Sequence, residues 1–277
     1  MSILNSDNME GNEDLKIDNY KSIDFKKELI KKFNENIKGK KFIKNKIEPC
    51  GDEGHWLEKM MGIKPNSNNE PDIYGYEQKK DSKKITYGDW QATCYLFNNN
   101  KKRPECMSDE ILSRKDFIKI FGSPNPKKKN RYSWSGSCFP KYGDEWNSYG
   151  QRLIFDDNNN LLAQYSYNND EREEKNNFPD FIKNSDPIII AFWSSEKLKT
   201  HIKNKFGVKG FYILKKNKEG EYSSICFGKT IDFEYFYNGM ISKTIILDSG
   251  MYISNTRNYS QFRSNGKTWD KLITEEY

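Results

Sequence analysis

The segment GHWLEKMMG (Gly54–Gly62), followed after a loop by PDIYGYEQK (Pro71–Lys79), carries the densest chemistry in the chain. Trp56 to Met61 fit a short helix closed by Gly62. Pro65 to Pro71 (PNSNNEP) is predicted as a loop, with two short strands through Asp72-Ile73 and Tyr76 to Lys79 around a Tyr74-Gly75 turn. Alternate residues of a strand share a face, so Glu77 and Lys79 point together while Gln78 points away. Asp72, across the turn, can bring a second carboxylate beside Glu77. Two carboxylates and a backbone carbonyl, with Gln78 the candidate for the carbonyl, suit a hard divalent cation such as magnesium. An ammonium beside such a site can orient a water, or help deprotonate it, for attack on phosphorus. Glu58, one helix earlier, could hold a second metal, a water or a structural hydrogen bond in the same cavity. Spacing like that of Asp72, Glu77 and Lys79 also arises by chance in charged chains. The glutamate-bearing helix ahead of it and the short, turn-bounded strands set this instance apart.

Outward from this block the chain reads as a mixture of helices and strands, α/β or α+β. Residues 1–20 are polar and acidic and are expected to form a mobile tail. Phe25, Leu29, Ile30 and Phe33 follow helical spacing that ends near Gly39. Ser113 to Asp116 opens another helix through Phe121, stopped by Gly122 and the Pro124/Pro126 pair. PKKKN (Pro126–Asn130) is the best candidate for a loop or interdomain linker. That divides the chain after a tail of 1–20 into a region over 21–126, which holds Asp72, Glu77 and Lys79, and a region over 127–277, which can still lend elements to the first. In the later region, strands are predicted over Tyr132 to Phe139 and Gln151 to Tyr167, with Asp157 to Asn160 as a hairpin connection. Asn168 to Asn177 is expected to be a loop and Ile188 to Phe192 a buried strand. Ser195 would cap a helix from Glu196 to Phe206 ending at Gly207, followed by the strand pair Phe211–Lys215 and Tyr222–Phe227.

Composition narrows the classes. The chain has 277 residues, 46 Lys+Arg against 40 Asp+Glu and a formal net charge of +6, which permits a polyanionic partner without demanding one. Hydrophobic residues are only 35%, but 14% of the chain is aromatic, enough to build a core and to argue against wholesale disorder. Only seven of the basic residues are arginine, and in a lysine-biased chain these bidentate donors carry more information. The five cysteines are widely spaced without a C-x-x-C pair, and with two histidines a zinc knuckle, a disulfide framework or a Ser-His nucleophile is a poor fit. With no apolar run near the roughly 20 residues of a membrane span and no signal peptide, a cytoplasmic protein with reduced thiols is expected. Tyr87 and Trp90 are expected in the core rather than as stacking platforms.

GHWLEKMMGI followed by PNSNNEPDIYGYEQKK resembles the opening of the MvaI/BcnI and LlaMI-type restriction endonucleases, and is similar to the related MutH/Sau3AI nucleases, all of the PD-(D/E)xK fold. The similarity continues, more weakly, through FIKIFG (Phe117–Gly122), Arg131-Tyr132-Ser133, FWSSEKL (Phe192–Leu198) and Arg257 with Phe262-Arg263. Only the first block is specific, and the whole spans roughly residues 50–275. The resemblance implies a mixed central sheet flanked by helices, Asp72 and Glu77 as metal ligands, Lys79 as the catalytic lysine and Glu58 as an accessory acid. It implies a magnesium-dependent type II restriction enzyme that cuts double-stranded DNA, acting as a monomer at a short G·C-rich, nearly palindromic site and leaving 5′-phosphate ends. A cognate DNA methyltransferase would protect host sites without touching this chain. A MutH-like enzyme that only nicks, or a DNA-binding module without catalysis, are the alternatives; the intact Asp72, Glu77 and Lys79 set speaks against the second.

Arg131, Arg152, Arg257 and Arg263 could each contact a guanine edge or a phosphate, or form a surface ion pair. The resemblance favours Arg257 and Arg263. Lys80, directly after the active strand, is a candidate phosphate contact. Two departures bear on target choice. The family tends to carry His-Gly before the C-terminal Phe-Arg where this chain has Ser260-Gln261, and the segment Trp134 to Trp146 has no counterpart.

Overall fold

A computed structural model describes residues 24–43, 52–64, 69–98 and 103–277, so the tail expected over 1–20 and part of the Pro65–Pro71 loop lie outside the described residues. Asp24 starts α1 (Phe25–Asn36) by accepting from the Lys27 amide at 3.3 Å, and Leu29 and Phe33, one turn apart, are buried. α2 (Asp52–Met61) begins earlier than the expected Trp56, buries Leu57 and Met61, and ends at Gly62, which adopts a φ of 76°. There follow β1 (Glu77–Lys80), β2 (Lys84–Asp89), β3 (Cys94–Tyr95) and α3 (Arg114–Phe121), the last capped by Ser113 as its sequence predicts. β4 (Ser123–Asn125), β5 (Arg131–Trp134), β6 (Tyr149–Phe155), β7 (Leu161–Asp170), α4 (Asp180–Asn184) and β8 (Ile188–Trp193) make up the middle of the chain. α5 (Ser195–Phe206), β9 (Phe211–Lys216), β10 (Tyr222–Gly228), α6 (Phe233–Ile241), β11 (Ile246–Asp248), β12 (Met251–Tyr252), β13 (Gln261–Asn265), α7 (Gly266–Asp270) and β14 (Ile273–Glu276) complete it.

The sheet that holds the site has the order β1-β9-β10-β14. β1 runs parallel to β9, with Glu77 opposite Phe211 and Lys79 opposite Ile213, whereas β10 is antiparallel to both its neighbours. This is the mixed sheet expected from the sequence. Strand alternation sorts β9 between two cores: Tyr212 and Leu214 pack with Leu29, Phe33, Leu57 and Met61, while Phe211 and Ile213 join the large core with Phe206 and Trp269. Helices α1 and α2 thus cover one face and α5 and α7 the other, each buried aromatic or aliphatic side chain contributing about 1.5–3 kcal/mol of transfer free energy. Glu77 and Lys79 share the register and face of Phe211 and Ile213, so β1 presents its charges toward α5 and α7.

Three antiparallel sheets carry the rest: β11-β13-β2, β12-β5-β4 and β3-β8-β7-β6. Tyr87 and Trp90 are buried, as expected. Pro126–Asn130 turns out to be the connection of the β4–β5 hairpin, a 3-10 turn in which Lys129 and Asn130 both take a φ of 54°. The chain therefore crosses the 126/127 boundary inside one hairpin, and residues beyond it supply β9, β10 and β14 to the sheet of β1. Four local expectations are corrected. Ser194, not Ser195, caps α5 by accepting from the Lys197 amide; β7 extends to Asp170 before a 3-10 turn at Glu173–Asn177; the strand expected over Tyr132 to Phe139 ends at Trp134; and Asp72-Ile73 makes a single bridge, Ile73 to Tyr76, rather than a strand. The first arises because two adjacent serines are equivalent in sequence but only one has the extended backbone a cap needs.

Candidate active site

The chain reverses immediately before β1. Tyr74 and Gly75 have φ values of 52° and 85°, the backbone of a tight two-residue hairpin turn, and Ile73 and Tyr76 exchange both amide bonds across it. The reversal returns Asp72 to the strand, where its Oδ2 accepts from the Gln78 amide at 2.8 Å. Gln78 points to the opposite face, and its Oε1 accepts from the buried Tyr212 hydroxyl at 2.7 Å.

Glu77 and Lys79 are 3% and 7% exposed, so their charges need partners. Lys79 Nζ donates to Glu77 Oε1 at 2.7 Å, and Lys205 Nζ, from the last turn of α5, lies 3.0 Å from the same oxygen. The other oxygen, Oε2, is buried without any hydrogen-bond partner. Lys79 also sits over the Phe206 and Trp269 rings, at 5.5 and 5.9 Å from their centroids. Burial pushes the Lys79 ammonium below the usual lysine range against the opposing pull of Glu77. Burial, followed by the charge of Glu77, pushes the Asp72 carboxyl up to about 6. Glu58 is raised by burial as well.

Glu58, Asp72, Glu77, Gln78, Lys79, Lys80 and Arg263 all line one cleft of about 550 Å³, together with Lys205. Lys80 also pairs with Glu53 at 3.0 Å. Arg263 reaches the cleft from β13, its Nη1 3.1 Å from Asp248 Oδ2 and its Nη2 on Gln261. Arg257 Nη2 lies 2.7 Å from Oδ2 of Asp89, a cleft residue, without hydrogen-bond alignment. Arg131 and Arg152 do not line this cleft: Arg131 stacks on Tyr252 at 3.5 Å, and Arg152 stacks on Trp146 at 4.2 Å while donating to Gln164.

A hard divalent cation fits these residues. Among the described residues, no three Asp, Glu, His or Cys side chains converge as a ready-made metal cluster. Magnesium, however, takes one or two carboxylates and fills its remaining positions with water and substrate phosphate. Glu77 Oε2 is an unsatisfied anionic oxygen, and Asp72 beside it is strained toward its neutral form, the state a cation would relieve.

Sequence spacing did not suggest Lys205. The readable signal is its place on α5, whose buried stripe runs Leu198, Ile202 and Phe206: a lysine at 205 lies on the edge of that stripe, three residues after Ile202. Glu53 was missed as well; it accepts from the Tyr222 hydroxyl at 3.0 Å and from Lys216, and so braces α2 against the sheet.

Among the described residues no helix is long and apolar enough to cross a membrane. In overall form the chain is similar to the restriction endonuclease MvaI in complex with its cognate DNA substrate, with a TM-score of 0.59 and 15% identity over 92% of this chain and 98% of that one. In sequence it is 36% identical to the type II restriction enzyme ScrFI of Lactococcus lactis subsp. cremoris, covering 90% of this chain and 97% of that protein. The profile of the LlaMI restriction endonucleases matches residues 36–277, which takes in the cleft and every sheet. With fold, sequence and cleft in agreement, the chain belongs to the LlaMI restriction endonuclease family, the site-specific deoxyribonucleases of type II.

Proposed function

We propose that this endonuclease hydrolyses double-stranded DNA with magnesium, as a cytoplasmic monomer, at a short G·C-rich, nearly palindromic site, leaving 5′-phosphate and 3′-hydroxyl ends. The observation that carries the chemistry is Glu77 Oε2, a buried carboxylate oxygen without a partner, beside Asp72 and the Lys79 ammonium. Asp72 and Glu77, with the Gln78 carbonyl, would hold the cation, which when bound makes a water more acidic and balances charge on the phosphate. Lys79, depressed by burial, can take the proton of the attacking water or fix its position at the scissile phosphorus. Lys205 pairs with Glu77 Oε1, the same oxygen that Lys79 holds, which leaves Oε2 without a partner. Glu58, its carboxyl raised by burial, is placed to hold a water in the cleft.

Recognition falls to residues after 126, with Arg263 and Arg257 as the base or phosphate contacts beside the chemistry and Arg131 and Arg152 on the flanking surface, while Lys80, at the end of β1, contacts a phosphate. A cognate methyltransferase would protect the host's own sites. Supercoiled plasmid incubated with and without Mg²⁺, beside Glu77→Ala and Lys79→Ala, tests the assignment. Metal-dependent linear product from the parent and none from either variant is expected. Cleavage surviving Glu77→Ala would refute the site, and nicked circles as the final product would replace double-strand cutting by MutH-like nicking.

A further inference from the structure

Asn69 lies three residues before Asp72, in the segment that links α2 to the tight turn. Both ends of its side-chain amide are engaged: Nδ2 donates to the His201 carbonyl at 2.8 Å, and Oδ1 accepts from the Trp90 indole at 2.8 Å. An indole N–H only donates and a carbonyl only accepts, so the two partners dictate which way the amide points and call for a side chain that both donates and accepts. Pro71, with its fixed φ, stands between this anchor and Asp72.

The two partners are themselves tied to the site. His201 is one helical turn before Lys205 on α5, and its ring lies flat on Trp90, with centroids 5.6 Å apart and planes 6° from parallel. Trp90 is buried, packs on Phe262 at 5.6 Å, and its backbone amide donates to the Ser260 carbonyl. Phe262 immediately precedes Arg263. One amide therefore joins the loop of Asp72, the helix of Lys205 and an indole seated against the strand of Arg263.

We infer that Asn69 is a positioning residue that holds the Asp72 loop in register with α5 and β13, so that the Asp72 carboxylate stays beside Glu77. The inference rests on the assignment of Asp72 and Glu77 as the cation's ligands. It answers a physical need, because two neighbouring carboxylates repel and the metal-free loop would otherwise relax away from β1. Ordering the loop in advance leaves less entropy to be lost when the cation binds. The tether also gives the strand of Arg263 and the loop of Asp72 a common buried contact, Trp90.

The test uses the full chain with Asn69→Ala, with His201→Ala as the control that keeps the accepting backbone carbonyl. Binding of Mn²⁺ to the DNA-free protein, followed by calorimetry, should weaken about 10–100-fold in Asn69→Ala, with a matching fall in kcat. KM for plasmid and the melting temperature should stay near those of the parent, and His201→Ala should bind Mn²⁺ like the parent. Asn69→Asp, which keeps the acceptor for Trp90 but sets a carboxylate against a carbonyl oxygen, should not rescue the loss. Mn²⁺ affinity within about threefold of the parent in Asn69→Ala overturns the tether, as does a loss of affinity matched by equal losses in KM and melting temperature. Glu77→Ala run alongside separates the two ideas. If it still cuts, the metal-site assignment fails; if it is dead while Asn69→Ala binds Mn²⁺ normally, only the tether fails.

Discussion

Replacing Asp72 with Asn should make the metal-free protein harder to melt even as it abolishes cleavage. In the folded chain, burial and the adjacent Glu77 raise the Asp72 carboxyl from 3.8 to about 6, so ionising it at neutral pH works against folding. That displacement corresponds to about 3 kcal/mol, and the partial exposure of the side chain reduces the share that a melt will register to about 1–2 kcal/mol. Asparagine removes the charge and keeps an oxygen able to accept the Gln78 amide. For a chain of this size the expected gain is about 2–6 °C in melting temperature. The sign follows from the direction of the shift. Because the folded-state value is raised, the stabilising proton is fully held below the unfolded value, and its contribution is lost as the pH rises through about 6. The advantage of Asp72→Asn is thus complete above that range and closes as the pH falls toward 4. Thermal melts in EDTA at neutral and at acidic pH measure the gap, and added Mg²⁺ should raise the parent but not the variant. A variant that melts no higher than the parent at neutral pH, or gains as much in acid, would refute the electrostatic account of this site.

Lys205→Met should lower kcat by about 10–100-fold while sparing DNA affinity, because it frees Glu77 Oε1 from its second ammonium. Lys205 also depresses Lys79, so its removal raises Lys79 and moves the rising limb of the pH–rate profile to higher pH; a limb that stays in place would exclude Lys79 as the proton acceptor. Arg263→Ala should weaken cutting at the cognate site by about 1–3 kcal/mol relative to other sequences, read from competitive cleavage, whereas an equal loss on all DNA would make Arg263 a phosphate contact.

The parts of the fold that could be read from sequence are those whose signals are local. The Tyr74-Gly75 reversal, the shared face of Glu77 and Lys79, the Ser113 cap and the Phe211–Tyr222 hairpin all depend on neighbours within a few residues, and all are in the structure. Lys205 depends on a contact across more than a hundred residues, and in a chain with so many lysines its identity carries no weight until the helix face is known. The end of the chain was opaque for a different reason. β11, β12 and β13 have three, two and five residues, too short for alternation to show, and they are held by partners as distant as β2 and β5. The composition of PKKKN left a linker and a loop equally open, and it is a loop, because polar residues that accept a left-handed backbone serve well in a hairpin turn.

The pairing of β1 with β9 also governs when the enzyme comes into being. A nascent chain that has emerged only as far as α3 already contains Glu58, Asp72, Glu77 and Lys79, but the strand beside β1 begins at Phe211 and the second ammonium stands at Lys205. Until translation passes these positions the proposed site residues have no neighbouring strand, no second ammonium on Glu77 and no complete cleft. Interrupted synthesis or proteolytic loss of the later region is therefore expected to yield fragments that hold these four residues without the cleft. The topology thus joins early side chains to late architecture, and the cleft closes only when nearly the whole chain is present.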